Sequence, residues 1–298
     1  MKHFTDIKQL SRKDILELFR LTDYLRDMKP KKRAKQLRHK TIMQLFFENS
    51  TRTRVSFELA AKKLGATLIN VDIARSSTHK GESLRDTLTT LAAMSADAFV
   101  IRHQDSGTAE QARQWLGDTV SIINAGDGNH QHPSQALLDL YTIHRHKGDF
   151  STLKVAICGD IKHSRVASSL IDGLNIMGCQ NIHLFGPRHL MPESTPAIMV
   201  NRFSSAARAA DVLVMLRIQK ERMNDTDIPN AEQYLTHYGL TPQRLQLAKP
   251  DAIVMHPGPM NRNVEIASEV ADGPQSVIQE QVHNGVLTRQ AILHHLLA

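Results

Sequence analysis

Thr41-Ile-Met-Gln-Leu-Phe-Phe47 leads through a short polar turn into Ser50-Thr51-Arg52-Thr53-Arg54. Val55, Leu59, Ala60, Lys63 and Leu64 then continue at helical spacing. An apolar run, a turn and a helix start are the elements of a β-strand feeding an α-helix. A helix N-terminus presents backbone N–H groups without carbonyl partners and the positive end of its dipole. This one adds three hydroxyls and two guanidiniums, a donor set for a phosphate-like dianion. Helix capping accounts for the hydroxyls but not for the adjacent arginine.

The same alternation recurs to either side. Strand-like runs at 67–73, 97–101 and 119–124 are separated by helical spacing at 52–64, 82–95 and 108–116, and a helix over 134–147 follows. Ser11 stands as the N-cap of an earlier amphipathic helix over 11–28. After Gly148-Asp149 the pattern restarts, with strands at 153–158, 181–185, 211–216 and 252–255, a helix from about Arg165 to Met177, and a last helix over 275–296. Strands alternating with helices imply right-handed crossovers and parallel sheets. The predicted fold is therefore α/β: two doubly wound parallel-sheet domains joined by helices, with domains at 1–147 and 148–274. The helix at about 275–298 is expected to pack back on the first.

The 298 residues carry a net charge of +7, with 41% hydrophobic, 22% charged and 5% aromatic residues. A low aromatic content and no nucleic-acid module argue against a nucleic-acid partner, and the basic run Lys29–Lys40 reads as a solvated connection. No apolar run reaches membrane-spanning length. Two cysteines, Cys158 and Cys179, make no disulfide framework, and the N-terminus lacks a signal-peptide core, so a cytoplasmic setting is expected.

In open parallel sheets ligands bind at the carboxyl ends of strands. The polar clusters sit there: Arg102-His103, Asp127–Gln135, Asp160–Arg165, Arg217–Arg222 and His256–Arg262, and they are expected to share an interdomain cleft. Ser76–Ser83 is a polar loop in which Lys80 offers a point charge to phosphate. His130 and His132 form a His-x-His pair, but no acidic or cysteine ligands cluster with it, and no metal or other cofactor is assigned. Pro133 suits a first helical turn, which puts His132 and Gln135 at a helix N-terminus, where a neutral imidazole can donate to a carbonyl oxygen. Arg217 and Gln219, two apart, share a face and suit a carboxylate. Two prolines around Gly258 make a rigid loop whose carbonyls can accept from an NH2 group.

In this order the clusters resemble the carbamoyltransferases over almost the whole chain. The STRTR turn and His132-Pro-Ser-Gln135 are shared across that family. Ser76-Ser-Thr-His-Lys80-Gly-Glu82 and Arg217-Ile-Gln-Lys-Glu-Arg222 resemble its aspartate-specific branch, whereas the ornithine enzymes carry His-Cys-Leu-Pro and Ser-Met-Gly motifs that are missing here. The resemblance implies a transferase that joins carbamoyl phosphate to L-aspartate in pyrimidine biosynthesis. Carbamoyl phosphate would be bound by Ser50, Thr51, Arg52, Thr53, Arg102, His132 and Gln135, by the carbonyls of Pro257 and Gly258, and by Ser76 and Lys80 from a neighbouring subunit of a homotrimer. Thr53, Arg102 and His132 would polarise the carbamoyl oxygen. Aspartate would be held by Lys80, Arg165, Arg217 and Gln219. Relatives also assemble with regulatory chains or with a dihydroorotase-like partner, and the resemblance leaves that association open. Gly258 departs from relatives that carry leucine there, and His79 from those with a second lysine.

Overall fold

The computed structural model describes residues 1–73, 82–219 and 230–298. By its internal contacts the chain divides into two compact units. The first is Met1–Leu138 with Asn284–Ala298, and the second is Asp139–His283.

The first unit is built on four parallel strands, β1 (Thr41–Phe46), β2 (Thr67–Val71), β3 (Ala98–His103) and β4 (Ser121–Asp127), in the order β2-β1-β3-β4. Ile42 and Leu45 on β1 and Phe99 and Ile101 on β3 are fully or almost fully buried, the continuous apolar pattern of strands covered on both faces. Helix Arg12–Asp27 begins in a capping box: the Ser11 hydroxyl accepts from the Asp14 amide, and the Asp14 carboxylate accepts from the Ser11 amide. Helix Thr51–Leu64 ends at Gly65, whose φ of +83° reverses the chain; a Cβ there would lie 2.0 Å from the Ala34 carbonyl oxygen. Part of the basic run is structured. Pro30 starts a helical turn through Arg33, as its fixed φ favours, and Leu37 is buried.

The second unit holds five parallel strands, β5 (Lys154–Cys158), β6 (Asn181–Phe185), β7 (Ile198–Met199), β8 (Val212–Met215) and β9 (Ile253–Met255), in the order β7-β6-β5-β8-β9. β7 and four short helical segments, Phe203–Ala207, Ala231–His237, Pro242–Leu245 and Ser268–Ala271, are additions to the predicted elements. None is long enough to display a period. Cys158 and Cys179 are buried free thiols, and burial pushes Cys158 up to about 12.

Both sheets are doubly wound: chain order runs outward in both directions from β1/β3 in one and from β5/β8 in the other. At such a switch point neighbouring crossovers leave the sheet on opposite faces and open a crevice at the strands' carboxyl ends. No helix among the described residues is long and apolar enough to cross a membrane.

Candidate active site

In the first unit, the STRTR turn follows β1 and Arg102 lies near the end of β3, so the two flank the switch point. Phe46 pairs in register with Arg102, and the Phe47 amide donates to the Arg102 carbonyl at 2.8 Å. Ser50 occupies the N-cap of helix Thr51–Leu64, yet its side chain makes no capping hydrogen bond. Capping therefore does not explain its hydroxyl. Thr53 is buried (6% exposed), whereas Thr51, Arg52 and Arg54 face solvent. Among the described residues Arg54 has no carboxylate partner.

Glu48, which the sequence reading passed over, is central to this arrangement. Its carboxylate lies 2.8 Å from Arg102 Nε, while Arg102 Nη1 donates to the Ala125 carbonyl at 3.1 Å. The guanidinium is tied on one side to the β1 turn and on the other to β4. That restrains a long side chain between the β1 turn and β4. An acid just ahead of a hydroxyl- and arginine-rich turn is the signal that could have marked it.

β4 leads into the third component. Helix Pro133–Lys147 starts with proline in its first turn, and the His132 carbonyl accepts from the amides of Gln135 and Ala136. His132 and Gln135 are both buried. The connecting loop is held by Asp127, which accepts from the amides of Gly107 (2.7 Å) and Gln131 (3.1 Å) and from the Asn124 side-chain amide (2.9 Å). His130 also faces Asp127, with Nδ1 at 3.3 Å. Among the described residues no three His, Cys, Asp or Glu side chains have metal-holding geometry.

The second unit repeats the logic. Asp160, directly after β5, is fully buried and spans its switch point. Oδ1 accepts from the His163 amide at 3.2 Å, and Oδ2 accepts from the Gln219 amide, also at 3.2 Å. Arg165 opens helix Arg165–Ile176 after the Ser164 cap and is buried. β8 ends at Met215, one residue short of the predicted run, but the alternation continues: buried Ile218 separates half-buried Arg217 and Gln219.

Past β9, the loop from His256 is pinned by a buried relay. The Gly258 amide donates to His256 Nδ1 at 2.9 Å, which puts the ring proton on Nε2, facing Glu265 Oε1 at 3.0 Å. The Asn261 amide donates to the same oxygen at 2.6 Å. Gln281 accepts from the His256 amide and donates to Asp139. Gly258 has φ = +67°, a left-handed conformation in which a side chain would be strained. Among the described residues no N–H donates to the carbonyls of Pro257 and Gly258. Ser76, Lys80 and the end of the Arg217–Arg222 cluster lie outside the described residues.

Two parallel sheets, each with arginines and polar side chains gathered at its switch point, have the chemistry of a protein class suited to small anionic molecules. The chain matches the carbamoyl-P binding domain of aspartate/ornithine carbamoyltransferase over residues 2–145 and the Asp/Orn binding domain over residues 151–296. It is similar to aspartate transcarbamoylase from Trypanosoma cruzi in complex with carbamoyl aspartate and phosphate. The identity is 32% and the TM-score 0.88, over all of this chain and 96% of that one. The same enzyme in complex with carbamoyl phosphate and aspartate gives 32% and 0.87, over 100% and 97%. Ornithine carbamoyltransferase from Thermus thermophilus shares the fold, with 24% identity and a TM-score of 0.86 over 100% and 99%. The chain belongs to the aspartate/ornithine carbamoyltransferase family, enzymes that transfer the carbamoyl group of carbamoyl phosphate to aspartate or ornithine.

Proposed function

We propose that the acceptor is L-aspartate and that the chain is the catalytic chain of an aspartate carbamoyltransferase, forming N-carbamoyl-L-aspartate and phosphate for pyrimidine biosynthesis. The observation that carries this is the pair Arg217 and Gln219, either side of buried Ile218 beside the second switch point, where Asp160 accepts from the Gln219 amide. A guanidinium and an amide suit a second carboxylate, whereas the side-chain ammonium of ornithine calls for acceptors. The similarity to the T. cruzi aspartate enzyme supports the same choice.

In this proposal residues 1–147 bind carbamoyl phosphate and residues 148–274 bind aspartate. Ser50, Thr51, Arg52, Thr53 and Arg102 take the phosphate. Thr53, Arg102 and His132 donate to the carbamoyl oxygen, and Gln135 with the carbonyls of Pro257 and Gly258 holds the NH2 group. Arg165 takes the α-carboxylate of aspartate, and Arg217 and Gln219 the side-chain carboxylate. The neutral amine attacks the carbamoyl carbon, the oxyanion develops against donors already in place, and departing phosphate removes the amine proton. Holding two anions together against their repulsion supplies much of the rate. Ser76 and Lys80 complete the site from a neighbouring subunit of a homotrimer. The exposed apolar side chains of Val55, Leu59, Ile69 and Met94 support burial against a second copy. Free, buried Cys158 and Cys179 support a reducing, cytoplasmic setting.

The test supplies carbamoyl phosphate with L-aspartate or L-ornithine and measures the carbamoylated product. Carbamoyl aspartate alone is expected, and product from ornithine alone overturns the acceptor assignment while keeping the family. Mixed trimers of Lys80→Ala and Arg52→Ala chains should regain activity; assembled hybrids that stay inactive argue against a shared site.

A further inference from the structure

At the edge of the second sheet where β5, β6 and β8 begin, there is a cavity of about 630 Å³. Lys154, Arg202, Arg208 and Lys249 line it, together with Asn181, hydroxyl side chains and a single carboxylate, Asp211. That carboxylate is already engaged. Its Oδ1 pairs with Lys249 at 2.6 Å, and its Oδ2 accepts from the Lys154 amide at 2.9 Å. The Lys154 ammonium donates to the carbonyls of Ser205 and Arg208, both at 2.9 Å, which leaves one of its three N–H groups. Among the described residues no carboxylate pairs with Arg202 or Arg208, and both are exposed. Three cations thus line one hollow without a counter-charge. Burial and the neighbouring Arg208 charge hold the Lys154 pKa below the usual lysine range.

The position separates this cavity from the carbamoyl-transfer residues. Asp160, Arg165, Arg217 and Gln219 lie past the other ends of the same strands, and β5, five residues long, puts about 13 Å between its two ends at ~3.3 Å per residue. We infer that the cavity binds a small anion carrying two linked phosphoryl groups. Two unpaired guanidinium forks and an ammonium match phosphoryl oxygens spread over more than one group, and the cavity is larger than a single phosphate requires. It is lined by no aromatic side chain, so the base stacking by which single-stranded nucleic acid is held is missing.

The experiment is calorimetric titration of inorganic diphosphate into the full chain at ~0.15 M salt, in an Arg52→Ala background that cripples the STRTR turn. One diphosphate per chain is expected to remain bound. Adding Arg202→Gln and Arg208→Gln should weaken it at least tenfold, and adding Lys31→Gln and Lys32→Gln, an exposed basic control, should leave it unchanged. Unaltered affinity in the arginine variant, equal weakening in the lysine control, or binding of a short RNA without binding of diphosphate overturns the inference. Hydrogen–deuterium exchange on the Arg52→Ala chain gives a readout that needs no change in the cavity. Diphosphate should protect peptides spanning 152–156 and 202–210, and protection confined to residues 48–56 refutes the site.

Discussion

Glu265→Ala tests whether the buried relay holds the loop bearing Pro257 and Gly258. Two donors converge on Glu265 Oε1, His256 Nε2 at 3.0 Å and the Asn261 amide at 2.6 Å, and the side chains of Glu265 and His256 are both almost wholly shielded from water. Alanine leaves both donors unsatisfied. At roughly 1–3 kcal/mol for each buried unpaired donor, the loss is about 2–6 kcal/mol. Glu265→Gln keeps an accepting oxygen in the same place and should cost only about 1 kcal/mol. Urea unfolding followed by far-ultraviolet circular dichroism measures the difference. Trp115 fluorescence is unsuitable because that single tryptophan lies in the other unit. Amide exchange at Gly258 and Asn261 should accelerate in the alanine variant, and its requirement for carbamoyl phosphate should rise. An alanine variant within about 0.5 kcal/mol of the parent, with unchanged exchange at both amides, would refute the relay.

Arg52→Ala removes an exposed charge, so stability should move by less than about 1 kcal/mol. The KM for carbamoyl phosphate should rise about 10- to 150-fold, the equivalent of a lost charge-assisted bond of ~1.5–3 kcal/mol, and an unchanged KM would remove Arg52 from the phosphate site. Arg217→Ala should raise the KM for aspartate far more than that for carbamoyl phosphate, and equal losses in steady-state kinetics would contradict its role. Gly258→Val forces a branched side chain into φ = +67° and should cost about 1–3 kcal/mol with loss of turnover; a variant as stable and active as the parent would mean that the loop does not require this conformation. Cys158, pushed up from 9.0 to about 12 by burial, favours the protonated thiol in the folded chain. Its stabilising effect is complete below about pH 9 and is lost as pH rises from there towards 12, so Cys158→Ala should flatten stability against pH in that window. At pH 8 a thiol reagent should label Cys158 only after unfolding.

How much of the site was legible in sequence depended on whether a residue announces itself locally. Ser50–Arg54, His132 and Gln135 did, because strand, turn and helix start are written in adjacent residues. Glu48 and Glu265 did not. Each acts through a partner distant in sequence or across a loop, and a lone glutamate in a polar stretch looks like any solvated acid. The Lys29–Lys40 run misled in part, since charge said solvent while Pro30 began a helical turn. The 154–249 basic cavity left no trace in sequence, because its four cations come from three separate segments, at Lys154, Arg202–Arg208 and Lys249.

Hydrophobic periodicity and turn chemistry, which are local, determined the class of fold, two rounds of alternating strands and helices, and the clusters at their strand ends. Strand order is not local. It depends on which strands find each other across crossovers of a dozen or more residues, and only the tertiary structure places β1 beside β3 and β5 beside β8. That adjacency sets Arg102 against Glu48 and Gln219 against Asp160, and so gathers separate polar motifs at two switch points.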